Sequence, residues 1–129
     1  MNGLLVLAAG TEVVTGLVLI VAPSVFARLL FGENLSGPGR WLGTLGGMGL
    51  LALASACWPV RNGQPTTAPA FRGMLFFSLL AALYLIYRGV VGAAIGPLLW
   101  PAAVFHAILA LLLARAWLRL RSVSRPNQP

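Results

Sequence analysis

Two ionisable side chains within long apolar segments are the residues best suited to chemistry in this chain. Glu12 interrupts the first apolar run, and His106 lies in the middle of the last one. A charged group near the centre of a bilayer costs about 2.5–3.5 kcal/mol on insertion scales, so such residues usually face a bundle interior and mark function. If both runs cross a membrane, the two side chains lie at similar depth. We therefore predict that Glu12 and His106 meet, directly or through water.

Ser78 and Tyr84 of the third apolar run are predicted to complete a small polar cluster with this pair. One interpretation is a proton relay or a substrate-linked carboxylate, since carboxyl and imidazole groups exchange protons readily. Another is a static hydrogen bond that fixes helix register and contributes about 1 kcal/mol. A third is that the four residues are placed independently.

Catalytic motifs are absent from the sequence. It contains no G-x-S-x-G, no P-loop, no C-x-x-C and no H-E-x-x-H. One histidine cannot build a metal cage within one chain. We therefore expect no metal and no cofactor, and an enzyme is the less favoured class of protein.

Paired tryptophans indicate the elements that position these residues. Trp41 and Trp58 are 17 residues apart, and so are Trp100 and Trp117. At a helical rise of about 1.5 Å per residue this spacing is roughly 26 Å, close to the hydrocarbon thickness of a bilayer, about 30 Å. Tryptophan favours the membrane–water interface, so the four are predicted interface anchors.

Composition agrees with a membrane protein. The chain of 129 residues is 59% hydrophobic and only 9% charged, against about 25% charged in an average soluble domain. We predict a single all-α integral membrane domain over residues 1–129, a bundle of four transmembrane helices with one short interfacial helix. The predicted spans are about 4–22, 41–58, 71–91 and 97–118, the interfacial helix is about 24–31, and the C-terminal tail is 119–129.

Two local signals limit the interfacial helix. Ser24 is a candidate N-cap, and Gly32 is a candidate stop at the C-terminal end. The following segment, 32–40, contains Gly-Pro-Gly and is predicted to be a turn-rich loop.

Arginine distribution predicts the orientation. All nine basic residues are arginine, and the formal net charge is +7. The second loop and the C-terminal end carry most of them: Arg61, Arg72, Arg115, Arg119, Arg121 and Arg125. The positive-inside rule places both termini in the cytoplasm. Because these arginines flank apolar runs, the predicted partners are the lipid bilayer and its anionic headgroups at the cytoplasmic face, not nucleic acid.

Small residues recur at helical spacing in two of the spans. Gly43 and Gly47 form a G-x-x-x-G in the second span. The stripe of the fourth span comprises Ala103, Ala107, Ala110 and Ala114. Such stripes allow helix backbones to approach closely in lipid. They fit packing within one bundle, and alternatively self-association into a homo-oligomer or docking into a larger membrane complex.

The first span, from Gly10-Thr11-Glu12 to Ala22-Pro23, and the stretch from Gly96-Pro97 through His106 to Trp117 resemble small uncharacterised bacterial membrane proteins, loosely DoxX-like four-helix proteins and families of unknown function of that shape. This resemblance covers most of the chain. It implies four helices and a bacterial inner membrane, and it implies no activity.

A second, weaker resemblance is to small multidrug-resistance transporters, which have four helices and an essential glutamate in the first. Here the matching feature is Glu12-Val13 after small residues. The third span lacks that family's glycine-rich aromatic signature, so the likeness is one of layout.

Together these patterns give two functional hypotheses. The first is a non-enzymatic accessory or scaffold subunit that self-associates or joins a larger complex. The alternative is a small proton-coupled transporter of hydrophobic or cationic solutes that uses Glu12 with His106.

Overall fold

The computed structural model describes residues 2–58, 68–92 and 95–123, with side chains for 3–58, 68–92 and 95–119. Within these ranges the chain forms helices joined by short connections, and no strand is present. The five helices are α1 (Asn2–Val21), α2 (Pro23–Phe31), α3 (Gly37–Cys57), α4 (Ala68–Val91) and α5 (Leu99–Val123). The prediction of an all-α protein is confirmed for the described residues.

Three of these helices are long and apolar enough to span a membrane. They are Gly3–Val21, Ala68–Val91 and Leu99–Arg119, with mean hydropathies of 2.4, 1.9 and 1.7. Helix α3 has a comparable length of 21 residues. Its glycines and Arg40 lower its mean hydropathy, so it is not one of the three helices that are apolar enough to span a membrane. The structure therefore supports a membrane protein with three such helices.

The helices pair as two antiparallel hairpins. Helix α1 packs most extensively against α3, and α4 packs most extensively against α5. One core cluster lies where α1 and α4 begin and where α3 and α5 approach their ends; its buried members are Leu5, Ala8, Ala9, Ala54, Cys57, Phe71, Met74, Leu109 and Leu113. The Cys57 thiol donates a hydrogen bond to the Ala70 carbonyl at 3.3 Å, which links the two hairpins there.

Helix α2 closes the opposite end of the bundle. Leu30 packs in a second core cluster with Leu85 of α4 and Ala103 of α5. The connection before α5 is tied to α2 by backbone hydrogen bonds, because Gly96 N–H donates to Leu30 O at 3.2 Å and Leu98 N–H donates to Leu29 O at 2.9 Å. These bonds satisfy helix-end carbonyls that have no partner within α2.

Gly32 ends α2, as predicted. Its φ of 72° is left-handed, and its N–H donates to Arg28 O, the geometry that glycine adopts without a Cβ penalty. The predicted N-cap is wrong: Ala22 is the N-cap residue, and Pro23 occupies the first turn. Proline suits that turn because it lacks the N–H that would have no partner there.

Two other predicted boundaries change for related reasons. Gly-Pro-Gly at 37–39 begins α3 and is not loop, because proline is accommodated in a first turn. Helix α5 begins at Leu99, after a turn at Pro97, and continues to Val123, into the segment predicted as tail. Residues 124–129 of that tail lie outside the described residues, as do Arg61 and Arg125.

Candidate functional site

Glu12 is fully enclosed by the bundle. Only 1% of the residue is exposed, and its Oε1 atom has no hydrogen-bond partner. On α1 it follows the buried Ala8 by one turn and precedes the buried Gly16 by one turn. Glu12 therefore lies on the face of α1 that packs inside the protein, as the sequence predicts for an intramembrane carboxyl.

Ser78 and His106 carry two more buried polar atoms without partners. Ser78 on α4 is 0% exposed and its Oγ is unpaired, while Nδ1 of His106 on α5 is also unpaired. The imidazole contacts two aromatic rings edge-on: its centroid is 6.0 Å from that of Phe77 and 5.6 Å from that of Phe105. These ring contacts are apolar and leave Nδ1 without a hydrogen-bond partner.

The three polar residues occupy one layer of the bundle. Met74 of α4 and Leu109 of α5 belong to the first core cluster, together with Ala8 of α1. On α1 and α4 the polar residue follows the cluster member by about one turn, and on α5 it precedes the cluster member by about one turn. Because α5 runs antiparallel to α1 and α4, all three steps lead toward the end of the bundle that α2 closes. We call Glu12, Ser78 and His106 the polar layer.

No hydrogen bond joins the side chains of the polar layer in the part of the chain described, and Oε1, Oγ and Nδ1 have no partner at all. An unsatisfied buried polar group costs about 1–3 kcal/mol. Three helices thus each place one such group at the same level of an otherwise apolar interior, where a proton or a small polar solute would find both donors and acceptors.

Tyr84 lies outside the polar layer. It is 56% exposed, and its ring packs edge-on against Phe31 of α2, with centroids 6.4 Å apart. Six residues separate it from Ser78, so it points to a different side of α4 at a helical period of 3.6. The Tyr84 side chain therefore lies at the α2 end of the protein.

The glycines of the predicted G-x-x-x-G face the protein interior. A Cβ on Gly47 would lie 2.6 Å from Gly16 O, and one on Gly43 would lie 3.0 Å from the Cβ of Pro23. Conversely, a Cβ on Gly16 would lie 2.8 Å from Gly47 O. Helices α1 and α3 therefore cross with their backbones in contact at Gly16 and Gly47.

The alanine stripe of α5 is also used within the chain. Ala103 is 1% exposed and Ala110 is 6% exposed, while Ala107 and Ala114 are half-buried. Since α5 packs chiefly against α4, these small residues allow that pair to approach closely. Both predicted stripes thus face the bundle interior.

The tryptophans lie at the two ends of the bundle. Trp41 and Trp100 are at the α2 end, 76% and 46% exposed. Trp58, 49% exposed, is at the other end, together with Trp117, which stacks on Phe71 with centroids 6.0 Å apart. The arrangement is consistent with interface anchors at both ends, with Trp117 also contributing to the core.

Sequence reasoning missed an open groove along the outer side of α1. Its volume is about 510 Å³, and its lining residues are Val6, Leu7, Gly10, Thr11, Val14 and Thr15. The Thr11 hydroxyl donates to Leu7 O at 2.9 Å, so this polar group is satisfied within the helix. The groove is therefore apolar in character. The sequence signal for this groove was Gly10, which has no side chain. No atom lies within 4 Å of the position that a Cβ on Gly10 would take.

A contact of one arginine with a pair of aromatic rings at the α2 end was also missed. The guanidinium carbon of Arg88 lies 5.7 Å from the centroid of the Phe31 ring, which also contacts Tyr84. In the sequence Arg88 is only one of the nine arginines, with no partner indicated. This contact joins side chains of α2 and α4 that are far apart in the sequence, so no local pattern predicts it.

No group of three or more His, Cys, Asp or Glu side chains that could hold a metal ion occurs among the described residues. Comparison with family models, with curated proteins and with solved structures gives no match to this chain. The resemblance to DoxX-like proteins accordingly stays a prediction.

Proposed function

We propose that this chain is a multi-pass membrane carrier in which Glu12 binds and releases a proton, with Ser78 and His106 as its polar surroundings, coupled to movement of a small cationic or hydrophobic solute. One observation carries the proposal: a carboxyl group that is 1% exposed and has an oxygen without a partner. The internal use of both small-residue stripes favours this function over a scaffold, because those stripes were the sequence evidence for self-association.

The energetics support a functional carboxyl. A static structural role would stabilise the bundle through a hydrogen bond of about 1 kcal/mol, yet Oε1 makes none. A residue of similar volume without charge would avoid the insertion penalty of about 2.5–3.5 kcal/mol. A carboxyl group that lies within the membrane despite this penalty, and without a hydrogen bond to Oε1, is typical of proton-linked sites.

The proposed topology has four spans with both termini in the cytoplasm of a bacterial inner membrane. Helix α3 is the fourth span: its 21 residues reach about 31 Å, and it packs along α1. The arginines Arg72, Arg115 and Arg119 then lie at the cytoplasmic end, where anionic headgroups attract them.

The test replaces Glu12 with Gln, which keeps the shape and removes the titratable group. Wild-type protein in liposomes that carry a proton gradient should move a lipophilic cation such as ethidium, with proton flow read by an entrapped pH dye. We expect Glu12→Gln to lower the proton-coupled rate at least about tenfold, since general acid–base groups contribute roughly 10²–10⁴-fold to the steps they serve.

Glu33 supplies the matched control, because it is the other acidic residue of the chain and is exposed. Glu33→Gln should leave the rate unchanged. Infrared difference spectra of wild type against Glu12→Gln should show a carboxyl band that responds to pH. A band that does not respond, together with equal transport by both variants, would contradict the proposal.

A second candidate function is an accessory or self-associating subunit. The specific observation is the outer side of α3, where a Cβ on Gly46 or Gly49 would meet no atom within 4 Å, so another helix could approach closely. We expect a Gly46→Leu/Gly49→Leu variant to change the molar mass measured by light scattering in detergent if this function is correct. An unchanged mass would count against it.

A further inference from the structure

We propose that the α2 end of the protein holds the phosphate headgroup of an anionic lipid between Arg28 and Arg88, with Phe31 and Tyr84 forming the aromatic floor of the site. This site is separate from the polar layer and does not depend on the proposed proton chemistry. We refer to these four residues as the headgroup site.

Arg88 lies against an aromatic ring. Its guanidinium carbon lies 5.7 Å from the centroid of the Phe31 ring, within the range of a cation–π interaction. Phe31 is itself held by the edge of the Tyr84 ring, at 6.4 Å and 77°. A guanidinium held on an aromatic ring keeps its N–H donors free and loses less entropy on binding.

Arg28 lies beside this pair. It precedes Phe31 by three residues on α2, so the two share a side of that helix. Helical side chains lean toward the N-terminus, so the Phe31 ring leans over the turn of α2 that carries Arg28. Arg88 contacts this ring and Arg28 shares the ring's side of α2, so we place both arginines in one site.

Neither guanidinium is neutralised within the described residues. Arg28 is exposed and Arg88 is half-buried, and neither donates a hydrogen bond to the protein or pairs with an acid there. Glu33, the nearest acid in the sequence, is exposed and pairs with neither. Two unpaired arginines favour an anion, and guanidinium geometry matches phosphate through paired N–H donors.

The location selects a lipid as the source of that phosphate. Arg88 lies one turn before Val91, the end of α4, and Trp100 in the first turn of α5 marks the same level. Val25 and Leu29 of α2 are 54% and 39% exposed, which gives that helix an apolar outer side beside Arg28. An acyl chain can lie against these side chains while its headgroup meets the arginines.

Helix α2 is fixed well enough to hold such a site. Leu29 and Leu30 accept backbone hydrogen bonds from the 96–98 connection, and Gly32 caps the helix. The relative positions of Arg28 and Arg88 are therefore set by the fold. A site whose donors are held in place binds with less loss of entropy than one that must be assembled.

The experiment measures lipid retention by native mass spectrometry on the full chain in detergent, titrated with phosphatidylglycerol or with phosphatidylcholine of the same acyl chains. We expect one phosphatidylglycerol to bind preferentially. Replacing both arginines, Arg28→Gln/Arg88→Gln, should weaken its binding roughly 25-fold, about fivefold for each arginine. Phe31→Leu, which removes the ring under Arg88, should weaken it roughly fivefold.

The matched control is Arg40→Gln, which removes one charge from an exposed position at the same end of the protein and is compared with the single variant Arg28→Gln. It should change binding less than about twofold. If the single variant Arg28→Gln is needed because the double variant does not fold, it should still show the fivefold loss.

Three results would overturn the headgroup site. One is an equal loss in the control variant, which would mean general charge attraction. Another is equal binding of phosphatidylcholine, and the third is displacement of phosphatidylglycerol by inorganic phosphate at matched concentration, which would assign the arginines to a free anion. Glu12→Gln should leave the lipid preference unchanged, so failure of the proton proposal and failure of this one are distinguishable.

Discussion

Replacing Gly47 with alanine is expected to destabilise the α1–α3 pair by about 1–3 kcal/mol, toward the upper end of the range for overpacked cores. The added Cβ would lie 2.6 Å from Gly16 O and 2.9 Å from the Cβ of Leu19. Backbone atoms cannot move aside as a flexible side chain can, so the two helices must separate. Thermal unfolding of the purified protein in detergent, followed by circular dichroism, measures the effect.

Gly46 is the matched control for this prediction. It is the preceding residue of the same helix, and a Cβ there would meet no atom within 4 Å. Gly46→Ala should leave the midpoint of unfolding unchanged or raise it, since alanine has the higher helix propensity. Equal destabilisation by both variants would mean that α3 does not pack on α1 at Gly47.

Replacing Gly96 with alanine is expected to release α2 from the bundle end. The new Cβ would overlap Leu29 O and its carbonyl carbon, and the hydrogen bonds from Gly96 N–H and Leu98 N–H to α2 would break. Two hydrogen bonds at about 1 kcal/mol each correspond to roughly thirtyfold in a local opening equilibrium. Hydrogen exchange of the α2 amides, measured by mass spectrometry, should accelerate by about that factor.

Gly37→Ala serves as the control at the same end of the protein, because no atom lies within 4 Å of a Cβ at that position. The α2 amides of the Gly37→Ala variant should exchange at the wild-type rate. Slow exchange in the Gly96→Ala variant would show that the connection before α5 can adjust, against the expectation from a backbone clash. Because α2 carries Arg28 and Phe31, Gly96→Ala should also weaken phosphatidylglycerol binding at the headgroup site.

Much of the helical architecture could be predicted from local signals. The apolar runs and their lengths predicted the long helices, and Gly32 predicted the end of α2. The prediction of a loop at Gly-Pro-Gly 37–39 was wrong. Proline and glycine are typical of turns, but the first turn of a helix also accepts both. The span count also could not be settled locally, since the glycines that let α3 pack on α1 lower its hydropathy.

Glu12 was identifiable from the sequence because a single carboxylate within an apolar run can be recognised without knowing which face of the helix it occupies. Its buried position agrees with that reasoning. Tyr84 and Ser78 could not be told apart in the same way: both are polar residues in one apolar helix, and only the packing of α4 places Ser78 inside and Tyr84 on the surface.

By itself, the sequence determined that this chain forms apolar helices of membrane-spanning length and that Glu12 lies within one of them. Only the tertiary structure decided that Gly47 faces Gly16 while Gly46 faces outward, and that Arg88 meets Phe31. The physical reason is that helices apolar on all sides carry little amphipathic signal to indicate their inner face. Their orientation depends on how the neighbouring helices fit together, and that fit involves residues far apart in the sequence.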